Sequence, residues 1–168
     1  MSLPITKVGV VPFYDDAGGV RHFLLHKPKP KRDAGADIPY GLCRGTRRYL
    51  EDGQLIDART PENLTSVQVE NLEDYADTAL CEAGEELGLT IKKEMLISLG
   101  DSIYESPNKT PYSIHWFATK MDGLHGLRLA EDAAGTLWVT IEEAQAMAQK
   151  GRFKSGYLEI LNQVLRIE

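Results

Sequence analysis

The chain has 168 residues, which fits one domain with a core of its own. Hydrophobic residues make up 42% and charged residues 26%, and the formal charge of −6 argues against a nucleic-acid polymer or an anionic membrane as partner. The two cysteines, Cys43 and Cys81, exclude a disulfide framework, and no apolar run approaches the roughly 18 residues of a membrane span.

No CxxC pair suggests zinc, so a reducing, cytoplasmic setting is expected. The opening MSLPITK lacks an apolar stretch long enough for a signal peptide. Residues 7–14 (KVGVVPFY) and 20–28 (VRHFLLHKP) are β-rich and flank turn chemistry at 15–19 (DDAGG), which predicts a hairpin. Alternating Lys and Pro at 27–37 predict an extended, wet loop. Residues 38–46 (IPYGLCRGT) predict a short strand running into a glycine turn. Residues 47–71 have no sustained period and are punctuated by Pro61, so they read as an excursion with a short helix.

Residues 72–88 (LEDYADTALCEAGEELG) predict the strongest helix. Asn71 is its expected N-cap, with Glu73 and Asp74 at the positive end of the dipole. Ala76, Leu80, Ala83 and Leu87 form the expected buried face, and Gly88 the stop. Strands follow at 94–106, 111–121 and 136–140. Thr140 and Glu143 spell a capping box that opens a helix over 141–150. A last amphipathic helix spans 155–167, with Leu158, Leu161 and Leu165 on one side. There is no internal repeat and no linker, so the whole of 1–168 reads as a single domain of α/β (α+β) class.

Glu82, Glu85 and Glu86 share a narrow stripe at the shoulder of the apolar face of that helix. Like charges at this spacing repel. A solvated acidic face is one explanation. The other is a hard cation such as Mg2+, with Mn2+ as an alternative, bridging carboxylates to substrate phosphates.

The same residues resemble the Nudix box: Gly, five residues, Glu, seven residues, then Arg-Glu-apolar-any-Glu-Glu-any-Gly-apolar. Glu82, Ala83, Glu85, Glu86, Gly88 and Leu89 match its second half, and Glu73 stands at the upstream glutamate. Five fixed Glu or Gly positions recur by chance on the order of once in ten thousand chains of this length, so the resemblance is specific. It departs at two points. Cys81 stands where the motif has the arginine whose salt bridge orients the glutamates. Val67 stands where the head glycine belongs, and Gly45 of GLCRGT takes that role. Between Gly45 and Glu73 lie 27 residues instead of five, an insertion of 22 at about 47–70.

The order of strands and helices outside the box is also similar to the Nudix order, over nearly the whole chain. The resemblance implies an α/β/α sandwich around a mixed sheet. It implies hydrolysis of a phosphoanhydride in a nucleoside diphosphate linked to another group. Glu85 and Glu86 would be metal ligands, and Glu82 a ligand or an aid to water activation. The Gly45 carbonyl would add a ligand, and Glu131 or Asp132 of RLAEDAAG a further acid. Glu73 would support from behind. Arg44 and Arg47 are candidate phosphate clamps, with Arg48 beside them in a solvated loop.

Tyr104, Trp116 and Phe117 could stack on a base, although aromatics alternating along a strand usually belong to a core. The four histidines show no metal-ligand spacing and are assigned nothing, and Cys81 reads as a small packed side chain. The alternative is a catalytically weak or silent Nudix-fold module that binds a nucleotide. Substrate identity lies outside the box. Nucleotide sugars, dinucleotide cofactors and oxidised nucleoside triphosphates are open, and the LCRGT turn resembles that of dinucleoside polyphosphate hydrolases. The insertion could serve as a lid or reach a partner subunit in a homodimer.

Overall fold

The computed structural model describes residues 3–27, 38–122 and 135–168. The elements in chain order are β1 (Lys7–Asp15), β2 (Arg21–His26), β3 (Cys43–Thr46), β4 (Arg48–Glu51), β5 (Gln54–Asp57), α1 (Ser66–Glu70) and α2 (Tyr75–Leu87). Then come β6 (Ile97–Glu105), β7 (Pro111–Lys120), β8 (Thr136–Val139), α3 (Ile141–Gln149) and α4 (Leu158–Leu165). Among the described residues no helix is long and apolar enough to cross a membrane.

β1 is the spine of a mixed sheet ordered β6–β7–β1–β2–β8. It pairs parallel with β7, with Val8 opposite His115 and Val10 opposite Phe117. Its other edge is shared. β3 takes the first half, with Gly45 opposite Val8, and β2 takes the second, with Phe23 opposite Phe13. Side chains alternate across a strand, so β1 feeds both faces. Val8 and Val10 pack with Leu24, Cys43 and the Ala79, Ala83 and Leu87 stripe of α2. Val11 and Phe13 pack on the other face with Phe23, Leu25 and Trp116 under Ala144 of α3 and Ile160, Leu161 and Val164 of α4. Helices on both faces of a mixed sheet give the α/β sandwich the sequence predicts.

The predicted hairpin forms, with the Asp16 carboxylate accepting the Gly18 and Val20 amides in its turn. The Thr140–Glu143 capping box also forms. Helix α2 begins later than expected. Asp74 occupies the cap position, while Asn71 caps the end of α1. Its buried stripe is Thr78, Ala79, Ala83 and Leu87; Ala83 and Leu87 lie on the expected face, Ala76 packs at its edge, and Leu80 is only partly buried. Gly88 ends the helix in the left-handed region at φ 65°. The final helix opens as a 3₁₀ turn at Ser155–Tyr157; the expected Leu161 is buried with Ile160 and Val164, Leu158 packs at the edge of that core, and Leu165 faces solvent. The loop predicted over 27–37 lies, but for Lys27, outside the described residues.

The excursion at 47–71 is a hairpin followed by a short helix. Strands β4 and β5 pair with Glu51 opposite Gln54, which leaves Asp52 and Gly53 as a two-residue turn. Both have positive φ, 50° and 76°, the requirement of a type I′ turn. The Ala58 amide closes the base of the hairpin on the Arg47 carbonyl at 2.8 Å, and the Glu73 amide, at the approach to α2, donates to the Arg48 carbonyl at 2.7 Å. Tyr49 and Ala58 are buried beneath it.

Candidate active site

The last two turns of α2 bring Glu82, Glu85 and Glu86 to one side of a cavity of about 290 Å³. Gly45 and Arg44 of β3 form a second wall, and Arg48 of β4, Asp57 of β5 and Arg59 just beyond it form the third. Gly45 lies within β3 and not in the predicted turn. Its lack of a side chain has a definite cause, since a Cβ there would overlap the carboxylate carbon of Glu82. Glycine is the residue that lets the helix and strand close over this contact.

The cavity crowds negative charge into partly buried space. Burial, then the neighbouring Glu86 and Glu85, push the Glu82 carboxyl up to about 7, against the opposing pull of Arg48. Burial also raises Glu86, offset by the Cys43 thiol and the Arg44 amide beside it. The His26 Nδ1 stands 3.5 Å from Glu86 Oε2. Burial holds the His26 pKa below its ordinary range, so it faces Glu86 as a neutral ring. Glu85 accepts a hydrogen bond from Cys81 Sγ at 3.3 Å.

Two arginines change places relative to expectation. Arg47 does not reach the cavity. Its Nε and Nη2 donate to the Glu73 carbonyl at 2.8 and 2.7 Å, and its Nη1 to the Ile5 carbonyl at 2.7 Å. Its guanidinium also lies 4.2 Å from the centre of the Tyr75 ring. With its donors spent on main-chain carbonyls, it fastens the chain and is not placed to clamp phosphate. Arg48, expected in solvent, lines the cavity and binds the Glu73 carboxylate through Nε (3.2 Å) and Nη2 (3.3 Å). Glu73 also accepts from Thr78 Oγ1 at 3.4 Å, behind the cavity wall.

Cys81 is not simply packed. Its sulfur accepts from Arg48 Nη2 at 3.1 Å and reaches Glu85. Trp116 and Phe117 are core residues at 0% and 8% exposure, and Tyr104 is tied to the Trp116 indole N–H, so none of the three is presented to a base. Glu131 and Asp132 lie outside the described residues.

Asp57, Arg59, His26 and Cys43 were not singled out by sequence. Asp57 and Arg59 follow the Asp52–Gly53 turn signal, which fixes the hairpin that delivers them. They pair with each other at 3.1 Å. For His26 and Cys43 no local signal exists, because only the β2–β3 arrangement brings them to Glu86.

Among the described residues no three acidic, histidine or cysteine side chains converge as a ready-made metal centre. The donor set still fits a hard divalent cation. Carboxylate oxygens line an open cavity, and the raised pKa of Glu82 and Glu86 records charge that a cation would neutralise. Mg2+ characteristically takes one or two carboxylates and keeps its remaining shell as water, so it does not need a three-ligand cage.

No family model and no curated protein sequence matches the chain. Solved structures do. A Caenorhabditis elegans Ap4A hydrolase in binary complex superposes with TM-score 0.60 at 18% identity, covering 95% of this chain and 94% of that one. The NUDIX domain of Shewanella oneidensis NrtR, complexed with ADP-ribose, gives TM-score 0.62 at 13% identity over 98% and 88% of the two chains. A bifunctional NMN adenylyltransferase/ADP-ribose pyrophosphatase from Francisella tularensis, complexed with AMP and a manganese ion, gives 0.57 at 17% identity. This chain matches it over 98% of its own length but spans only 42% of that longer protein. Sheet order, helix placement and these superpositions agree: the chain has the Nudix fold.

Proposed function

We propose that this chain is a divalent-metal-dependent hydrolase that cleaves a phosphoanhydride bond in a nucleoside diphosphate linked to another group. The observation that carries the reading is the cavity itself, with three glutamates facing Arg44 and Arg59 across about 290 Å³. Carboxylates on one wall and guanidinium groups on the other suit a cation and a phosphate chain held together. A bound Mg2+ or Mn2+ would supply charge neutralisation on phosphate and a more acidic water.

The chain's own residues do the rest. Glu85 and Glu86 hold the cation, and the Gly45 carbonyl is proposed as a further ligand. Glu82, on the same helix face and against Gly45, is placed beside them to accept a proton from the attacking water. Arg44 and Arg59 orient the phosphates. The second reading, a nucleotide-binding module without turnover, is favoured by Cys81 at the motif's arginine position and by the 27 residues between Gly45 and Glu73.

The metal claim is tested by titrating Mn2+ into wild type and Glu85→Gln, followed by electron paramagnetic resonance. Saturable binding at one site, lost in the variant, is expected. Equal binding by both proteins overturns the site.

A further inference from the structure

A larger cleft, of about 840 Å³, adjoins the glutamate cavity and shares Arg44 and Arg59 with it. That is within the size of a small-molecule site. Its walls include Pro4, Ile103 and Pro111, with Tyr112 and Lys7 between them. Lys7 Nζ and Arg44 Cζ lie 5.7 and 5.9 Å from the centre of the Tyr112 ring. Burial, then Arg44 and Arg59, hold the Lys7 pKa below its ordinary range, so three cations crowd one wall. Cations gathered beside an aromatic ring match a ligand that joins a planar group to a phosphate chain.

We propose that this cleft seats a nucleoside with its base against Tyr112, its phosphate chain crossing Arg44 and Arg59 toward the glutamates. Only the phosphate end rests on the hydrolase reading. The test is calorimetric titration of the full chain, without divalent metal and at low ionic strength, with ATP and with inorganic tripolyphosphate. ATP should bind wild type about fivefold or more tighter than tripolyphosphate, the size of one base–aromatic stack. Tyr112→Ala should erase that difference, while Lys7→Ala should weaken both ligands. Equal affinities in wild type, or a difference that survives Tyr112→Ala, overturns the subsite. If the difference holds but no nucleotide is turned over, the hydrolase reading fails and the subsite stands.

A separate observation concerns Arg48. Its guanidinium grips the Glu73 carboxylate by two nitrogens, and Nη2 also reaches the Cys81 sulfur, which reaches Glu85. The Arg48 amide donates to the same carboxylate at 3.0 Å. The Glu73 side chain is 16% exposed, so this pairing is largely sheltered. The geometry points to Arg48 as a positioning residue, carried by the β4–β5 hairpin, that sets the helix bearing the glutamates and does from β4 what an arginine at position 81 would do from α2. This inference rests on the hydrolase reading for its readout.

Arg48→Ala should lower Tm, since it leaves the sheltered Glu73 carboxylate unpaired, and should also lower kcat of the folded protein about 10- to 100-fold with KM changed little. Arg48→Lys should fall between, because an ammonium cannot form the fork. Adding Cys81→Arg to Arg48→Ala should restore most of kcat. Unchanged kcat in Arg48→Ala, or a double variant as slow as the single, overturns it. A wild type without turnover defeats the hydrolase reading instead, and stays distinct from either result.

Discussion

Glu82 rests on a residue with no side chain, and that contact makes the site sensitive to one methyl group. Gly45→Ala should displace the Glu82 carboxylate and cost about 1–3 kcal/mol by overpacking, read from denaturant unfolding. The same carboxyl links stability to pH. Its pKa rises from an ordinary 4.5 to about 7 in the folded chain, so the folded state binds this proton more tightly than the unfolded one. Glu82 is therefore harmless in acid and becomes a penalty as pH climbs through that window. Without metal, the Tm gain of Glu82→Gln over wild type should grow from nothing near pH 4.5 to its full size by about pH 8. An offset that does not change with pH would contradict the linkage. The three helix glutamates were legible because their spacing is local. Asp57, Arg59 and His26 were not, since their relation to the glutamates exists only after the chain has folded. Arg47 and Arg48, adjacent and chemically alike, part company because Arg47, between β3 and β4, turns to the Glu73 and Ile5 carbonyls while Arg48, opening β4, lines the cavity.

At the scale of elements, the β4–β5 hairpin carries the clearest consequence. Its Asp52–Gly53 turn requires positive φ at both residues. Gly53→Val should cost about 1–2 kcal/mol by forcing a β-branched residue into that region. Because the hairpin carries Arg48, Asp57 and Arg59, turnover should fall further than the loss of folded protein explains. Turnover that simply tracks folded fraction would show that the hairpin is not part of the site. The Asp-Gly pair was visible in the sequence, yet the flanking strands lack clean alternation. β5 is mostly exposed, and Leu50 and Leu55 face solvent at 53% and 52% exposure. Helix α2 shows the same limit in another form. Its period was readable, but its buried stripe takes in Thr78 and Ala79 where the apolar pattern pointed to Leu80.

Across the whole molecule, β1 sends alternate residues to two cores, and Gly9 is where the larger core closes. A Cβ at Gly9 would overlap the Trp116 ring. Gly9→Ala should cost about 1–3 kcal/mol in denaturant unfolding and shift the Trp116 fluorescence, with little change in metal affinity. Strand existence was legible from β-rich runs bounded by turn residues, and not from alternation, since β1 is apolar on both of its faces. The parallel β1–β7 pairing and the sharing of one β1 edge between β2 and β3 were not legible, because both depend on contacts far apart in the chain. The same topology places the end of α2 against β3 and the β4–β5 hairpin, which is what assembles the cavity. The most direct measurement is phosphate and pyrophosphate release from nucleoside diphosphate derivatives and dinucleoside polyphosphates, with and without Mg2+, by wild type and Glu86→Gln. Magnesium-dependent release that falls at least about 100-fold in the variant is expected for a ligand at the reacting centre. No release from any of these compounds, or equal release by both proteins, would contradict a hydrolytic site built on these glutamates.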